Sequence, residues 1–189
     1  MKSITRIIMC SAMLAMIPFV YSSACTGITL RTTTGETVAA RTIEWAGNDL
    51  QSCYAIVPRG YRQRSYVPGG DKEGMAFTAK YGYVGLAVQQ PEFVVDGLNE
   101  AGLAAGLFYF PEYGEYETYD ATKKQNTVSD LQLVSWILSN FKTIDEVKAA
   151  IADIHIVTID PRGSTVHWRI TEESGRQVVL EIVGKKLHF

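Results

Sequence analysis

Apolar positions along this chain first cluster, then alternate, then recur at helical spacing. Ile7–Val20 is an apolar run softened only by Ser11 and Pro18, preceded by Lys2 and Arg6 and followed by Ser22-Ser23-Ala24. A basic start, an apolar core and small residues at positions −3 and −1 of a cut read as a secretory signal over residues 1–24. The run is short of the ~20 residues that a membrane span needs. No later stretch approaches that length, so the remainder is expected to be exported, periplasmic or secreted, with no stable membrane span.

Beyond the cut the period is 2. Cys25–Leu30 and Thr37–Ile43 are strand-like and flank Thr-Thr-Thr-Gly-Glu, which predicts a hairpin turning through Gly35. Cys53–Val57 reads as a strand, Tyr61–Gly74 as a basic, turn-rich surface loop, and Ala76–Val88 as one or two strands broken near Gly82 and Gly85. Phe93–Leu98 and Leu103–Phe110 flank Asn99-Glu100-Ala101-Gly102, a tight hairpin connection. The polar stretch Glu112–Asp120 predicts a loop whose Tyr113, Tyr116 and Tyr119 lie against the domain.

The period then lengthens. Leu133, Ile137 and Phe141 fall on one stripe and predict a helix from about Ser129 to Asn140. Thr143 with Glu146 three residues on forms a capping box for a second helix, running to about Asp153. Thr165–Thr171 and Gln177–Val183 then form a hairpin through Glu173-Ser174-Gly175. Strands, two adjacent helices and strands again define an α+β layer pattern rather than alternating βαβ units. No repeat or linker interrupts residues 25–189, which are long enough to bury one core as a single domain.

Charge narrows the function. The chain holds 18 Lys+Arg and 20 Asp+Glu; without Lys2 and Arg6 the balance is 16 against 20, near −4. No basic patch is available to neutralise phosphates, which excludes nucleic acid as a partner. Of three cysteines, Cys10 leaves with the signal, so Cys25 and Cys53 remain. In an oxidising compartment the two are able to pair as a staple; a nucleophilic Cys25 would instead stay reduced.

A cut before Cys25 places a thiol and a free α-amine on one residue. An α-amine titrates at ~7.7–8.0 and is uncharged part of the time near neutrality, so it serves as the thiol's own base. A nearby guanidinium favours the thiolate, and the hairpin brings Arg41 back beside Cys25. Parity limits the constellation: Arg41 and Glu44 are three apart, and both reach Cys25 only if the strand ends or bulges after Ile43.

Cys-Thr-Gly at a processed N-terminus, followed by Arg41-Thr42-Ile43-Glu44-Trp45, resembles the choloylglycine hydrolase family of N-terminal-nucleophile amidases, which includes bile salt hydrolases and penicillin V acylases. The resemblance continues in order through Asp96–Leu103, Ala105-Gly106-Leu107, Phe110-Pro111, Ser135–Leu138, His167-Trp168 and Val178–Glu181. It implies that Cys25 is the nucleophile, that Arg41 is an active-site arginine, and that Glu44 stands where many members have an aspartate orienting the amine. Tyr109, just before Phe110-Pro111, stands where Gram-positive bile salt hydrolases have asparagine. Its backbone N–H is implied to form part of the oxyanion hole, which any residue except proline supplies, and Phe108 joins it in the substrate-binding stretch. No cofactor or metal is implied; a homo-oligomer is.

The implied fold is a four-layer αββα sandwich, and the implied substrate is a small-molecule amide. The glycine or taurine amide of a conjugated bile salt comes first, with penicillin V or acyl-homoserine lactone amides as alternatives. The family continues well past the strand matching Gln177–Val183, with an oxyanion-hole asparagine and a second arginine. The chain is therefore expected to be an N-terminal fragment with an incomplete sandwich and little amidase activity alone. Strand edges and an apolar sheet face would be left open to solvent.

Simpler readings stand beside these. A cysteine directly after a signal is also a lipid-attachment site, giving an anchored binding module, although that signal favours leucine where Ser22 stands. Arg41 and Glu44 without the resemblance read as a surface ion pair of little worth. Cys53 reads as a small core residue. His155, His167 and His188 lack metal-ligand spacing, and no Gly-Lys-Ser/Thr follows Gly97, Gly102 and Gly106, so turns and close packing account for these glycines.

Overall fold

The computed structural model describes residues 25–44, 49–160 and 163–189; the signal expected at residues 1–24 and Trp45 lie outside the described residues. The chain opens with strands β1 (Gly27–Arg31) and β2 (Thr37–Arg41), followed by β3 (Cys53–Val57) and the short β4 (Arg62–Arg64) and β5 (Ala76–Thr78). Next come β6 (Tyr83–Ala87), β7 (Val94–Asn99), β8 (Ala104–Tyr109) and β9 (Thr127–Ser129), then helices α1 (Leu133–Asn140) and α2 (Ile144–Ile151). Strands β10 (His155–Val157), β11 (Val166–Thr171), β12 (Gln177–Val183) and β13 (Lys186–His188) complete the order.

Among the described residues, seven strands form one antiparallel sheet in the order β13-β12-β11-β8-β7-β6-β3. Its inner face carries Ala55, Tyr83, Leu107, Trp168, Ile170 and Leu180, which pack with Leu133, Ile137, Ile144 and Ile151 of the two helices. The predicted stripe holds: Leu133 and Ile137 are fully buried, and Phe141 meets Trp136 edge to face at 4.8 Å. Thr143 caps α2 by accepting the Glu146 amide at 3.2 Å, while the Glu146 carboxylate accepts from the amide of Lys142 at 2.9 Å. The α+β layering is therefore the one expected.

Among the described residues the outer face bears only the β1–β2 hairpin. Tyr54 and Ile56 on edge strand β3 are 84% and 81% exposed, Val84 and Leu98 are exposed on the neighbouring strands β6 and β7, and Val179 is exposed on β12 toward the other edge. An uncovered apolar face of this kind is expected from the sequence.

Two segments differ from the sequence reading. Residues 61–74 are not all loop: β4 pairs with β5, and Ser65 and Val67 are buried. Ser65 is held by the Gln132 side chain at 3.1 Å, a long-range bond that local composition does not reveal. The first α-helix begins at Leu133, after a 3₁₀ turn at Asp130–Gln132 and after β9, which runs parallel to β10. Asp130 uses its carboxylate on the amides of Leu131 (2.9 Å) and Ile159 (3.3 Å), a local alternative to α-helical geometry.

Two polar anchors join the layers. The Tyr116 hydroxyl donates to Val166 O at 3.0 Å and accepts the Val166 amide at 2.8 Å, pinning the tyrosine-rich loop to β11. Buried Asn99 ends β7, where its Oδ1 accepts from the amides of Ala101 and Leu103, both at 3.0 Å. Its Nδ2 donates to Leu138 O at 2.9 Å and Phe141 O at 2.7 Å, closing the C-terminal turn of α1. All four of its hydrogen-bonding capacities are used.

Asn99→Ala leaves buried donors and acceptors unpaired in both the hairpin and the helix end, and is expected to cost about 3 kcal/mol, measured as a lowered urea midpoint at unchanged m-value. A second prediction concerns pH. Burial pushes the Asp130 carboxyl up to about 6, above the ~3.9 of an unfolded chain. The native state then holds a proton that the unfolded state has lost, so Asp130's contribution to stability falls as pH rises from about 4 to about 6 and is constant above. Asp130→Asn is expected to flatten that part of the stability–pH curve, read from urea midpoints across the window.

Candidate active site

The hairpin lies on the open face with one side toward the sheet. Gly27 pairs with Arg41, Thr29 with Ala39 and Arg31 with Thr37, so these six positions share a face. That face is tethered at its middle and toward the turn. Thr29 Oγ1 donates to Gln177 Oε1 at 2.9 Å, and Arg31 Nη2 donates to Ser174 O at 3.1 Å. Gly27 lies against Phe108: a β-carbon there would fall 2.9 Å from the ring's Cζ and 2.7 Å from Arg169 Nη1. The glycine of Cys-Thr-Gly therefore has a steric reason, since a side chain would lift the strand off the sheet.

Regular pairing in β2 stops at Arg41, although the Thr42 amide still donates to Thr26 O at 2.9 Å. The irregular stretch after it answers the parity question. The Cys25 thiol meets the backbone carbonyl of Glu44, with Sγ 3.8 Å from the oxygen. The Glu44 side chain is exposed and makes no hydrogen bond among the described residues.

Arg41 turns into the sheet and is 6% exposed. The β7–β8 ladder ends at Asp96 opposite Gly106, and the next two residues of the diverging strands are Val95 and Leu107. Arg41 Nη1 donates to Val95 O at 3.1 Å and to Leu107 O at 2.5 Å, so the guanidinium fills the fork. Nε donates to Thr42 O at 3.1 Å, Cζ sits 4.2 Å above the Phe108 ring centroid, and Asp96 Oδ2 lies 3.8 Å from Nη1. Nη2 is buried and has no hydrogen-bond partner among the described residues. Burial pulls Arg41 below its usual range, and the neighbouring Cys25 and Asp96 pull it back up.

Asp96 was not singled out by sequence reasoning. Burial pushes its carboxyl up, against the pull of Arg41 and Arg169. Its oxygen occupies the space above Gly106, where a β-carbon would come within 2.5 Å of Oδ2. The signal was present in Asp96-Gly97 and Ala105-Gly106, but the register that joins them is a property of the folded sheet.

The structure thus gathers Cys25, Arg41 and Phe108 and adds Asp96 and Arg169. Tyr109 follows Phe108 and alternates to the other side, its hydroxyl 2.9 Å from Ser164 Oγ. Cys53 lies on β3, half-buried against the core, and both Cys25 and Cys53 are free thiols. His155, His167 and His188 fall on β10, β11 and β13, and His167 bonds Glu181 at 3.0 Å. Among the described residues no cluster has the makings of a metal site, and no helix is long and apolar enough to cross a membrane. A groove of about 950 Å³ runs between the hairpin and the sheet, past Tyr54, Leu98, Asp96 and Arg169.

A cysteine at the head of a hairpin, laid on one face of an antiparallel sheet whose other face carries helices, defines the class: an N-terminal-nucleophile hydrolase fold. The family follows from comparison. Residues 25–189 match the family described as linear amide C–N hydrolases, choloylglycine hydrolase family, and the chain belongs to it. It is 30% identical over 171 residues to a bile salt hydrolase/transferase of Clostridium perfringens, covering 87% of this chain and 50% of that protein. Against a penicillin V acylase of Pectobacterium atrosepticum it is 25% identical over 159 residues, covering 79% and 41%. The solved penicillin V acylase of Agrobacterium tumefaciens superposes with a TM-score of 0.71 at 26% identity, over 86% of this chain and 48% of that one. The chain spans about half the length of the curated relatives it matches.

Arg41→Met keeps the buried bulk but leaves Val95 O and Leu107 O without a donor. It is expected to lower stability by about 3 kcal/mol, and Arg41→Lys to recover only part of the loss, because an ammonium lacks the planar fork. Urea denaturation of the three proteins in parallel checks both.

Proposed function

We propose that the chain is the nucleophile-bearing part of an exported hydrolase of linear amides, acting on the glycine or taurine amide of conjugated bile salts. The observation that carries this reading is the Cys25 thiol held beside the buried Arg41 guanidinium, whose Nη2 has no hydrogen-bond partner among the described residues. In the 189-residue chain the nitrogen of Cys25 is still bonded to Ala24. Removal of the leader frees it as the α-amine that takes the thiol's proton.

The thiolate then attacks the amide carbonyl, and the developing oxyanion is met by backbone donors that include the Tyr109 N–H. The C–N bond breaks, the amine leaves with the proton, and a thioester remains on Cys25. Water hydrolyses it and restores the thiol. Glu44, whose backbone carbonyl lies 3.8 Å from Cys25 Sγ, supplies the carboxylate that orients the freed amine in this reading. The 30% identity to a bile salt hydrolase/transferase supports the bile salt as substrate. Likeness to penicillin V acylases favours a second reading, cleavage of the phenoxyacetyl amide of penicillin V.

The test is release of glycine or taurine from conjugated bile salts, with penicillin V in parallel, by exported and N-terminally sequenced protein. Cleavage before Cys25 and turnover reduced at least 1,000-fold in Cys25→Ala are expected. A diacylglyceryl group on Cys25, or turnover that survives Cys25→Ala, overturns the reading.

A further inference from the structure

We propose that Arg169 is a positioning residue, one that clamps the nucleophile strand to the sheet and so fixes Cys25 relative to Arg41. This deepens the proposed function and rests on Cys25 being its nucleophile. Arg41 belongs to the hairpin and ties the end of β2 down into the β7–β8 fork. Arg169 works in the opposite direction, reaching from β11 up to the hairpin. Its Nη1 lies 3.3 Å from Ile28 O and its Nη2 3.4 Å from Ala40 O. Ile28 and Ala40 are register partners, so one guanidinium grips both strands at the same level.

The other tethers of β1, at Thr29 and Arg31, lie further toward the turn. Arg169 is thus the sheet's hydrogen-bonded hold on β1 nearest to Cys25. Gly27 is part of the device, because the space its side chain would fill is the space of Arg169 Nη1.

The surroundings hold the clamp in place. Arg169 Cζ is 5.4 Å from the Phe108 ring centroid, so Phe108 lies under two guanidiniums. The two cations repel, and Asp96 attracts both. Asp96 is therefore the shared counter-ion that allows Arg41 and Arg169 to lie together beneath one hairpin. A planar fork suits this task; a lysine serves one carbonyl at a time.

The experiment uses the whole chain with Arg169→Met and Arg169→Lys, read by amide hydrogen exchange and by iodoacetamide labelling of Cys25, with Cys53 as internal control. In Arg169→Met, amides of residues 26–44 are expected to exchange at least tenfold faster while α1 and β8 keep their protection, and Cys25 labelling to slow about fivefold with Cys53 unchanged. Arg169→Lys is expected to fall between Met and the parent, and it decides the matter should Arg169→Met not fold. Unchanged exchange in 26–44, or a loss of protection equal in α1 and β8, overturns the proposal. Where the parent turns over amide, kcat is expected to fall about tenfold at a KM within twofold. A parent without turnover is what half of a sandwich is expected to give, and exchange and labelling then decide the clamp by themselves.

Discussion

Where β7 and β8 part company, Val95 O and Leu107 O lose their ladder partners and would face a half-open groove unpaired. The Arg41 guanidinium satisfies both at 3.1 and 2.5 Å, and much of the site depends on it doing so. Burying that cation is costly unless it is compensated. Phe108 beneath it, Asp96 beside it and the carbonyls around it supply the compensation. Because Arg41 is the last residue of β2, anchoring it also fixes where the hairpin ends and therefore where Cys25 stands. One side chain thereby couples the splay of a sheet to the position of a thiol.

The layers around this point follow from the same constraint. Helices cover one face of the sheet, and the apolar residues that face them are buried or half-buried. On the other face, among the described residues, only the middle is covered, by a two-stranded hairpin whose own outer residues Ile28, Leu30 and Val38 remain exposed. The hairpin is held mainly by polar bonds to β11, to β12 and to the fork rather than by a packed apolar layer. Its stability is therefore local, and arginines and a close-packed glycine do the work that side-chain burial does on the helical face.

Much of this was legible in the sequence because it is periodic or local. Alternation located β1, β2, β7, β8, β11 and β12, the stripe at Leu133 and Ile137 located α1, and Thr143 with Glu146 marked the start of α2. Cys25 and Arg41 were legible from the expected cut and the returning hairpin, Phe108 came from the resemblance to the choloylglycine hydrolase family, and the fold brings the three together. What escaped reading depends on register between distant strands. Asp96 gains its place from Gly106 opposite it, Arg169 from a hairpin more than a hundred residues earlier in the chain, and β4 from Gln132 holding Ser65. Asn99 read as a turn residue, and its second task, closing the end of α1, appears only once the helix lies on the sheet.

The central claim is that Cys25 becomes acylated by a linear amide. Intact-mass and peptide mass spectrometry of protein with Cys25 at its N-terminus, quenched with acid during incubation with glycocholate, tests it most directly. The account predicts a cholyl thioester, confined to a peptide that begins at Cys25 and removed by hydroxylamine. An acyl adduct on another residue, or a Cys25 peptide that stays unmodified while glycine is released, would contradict it.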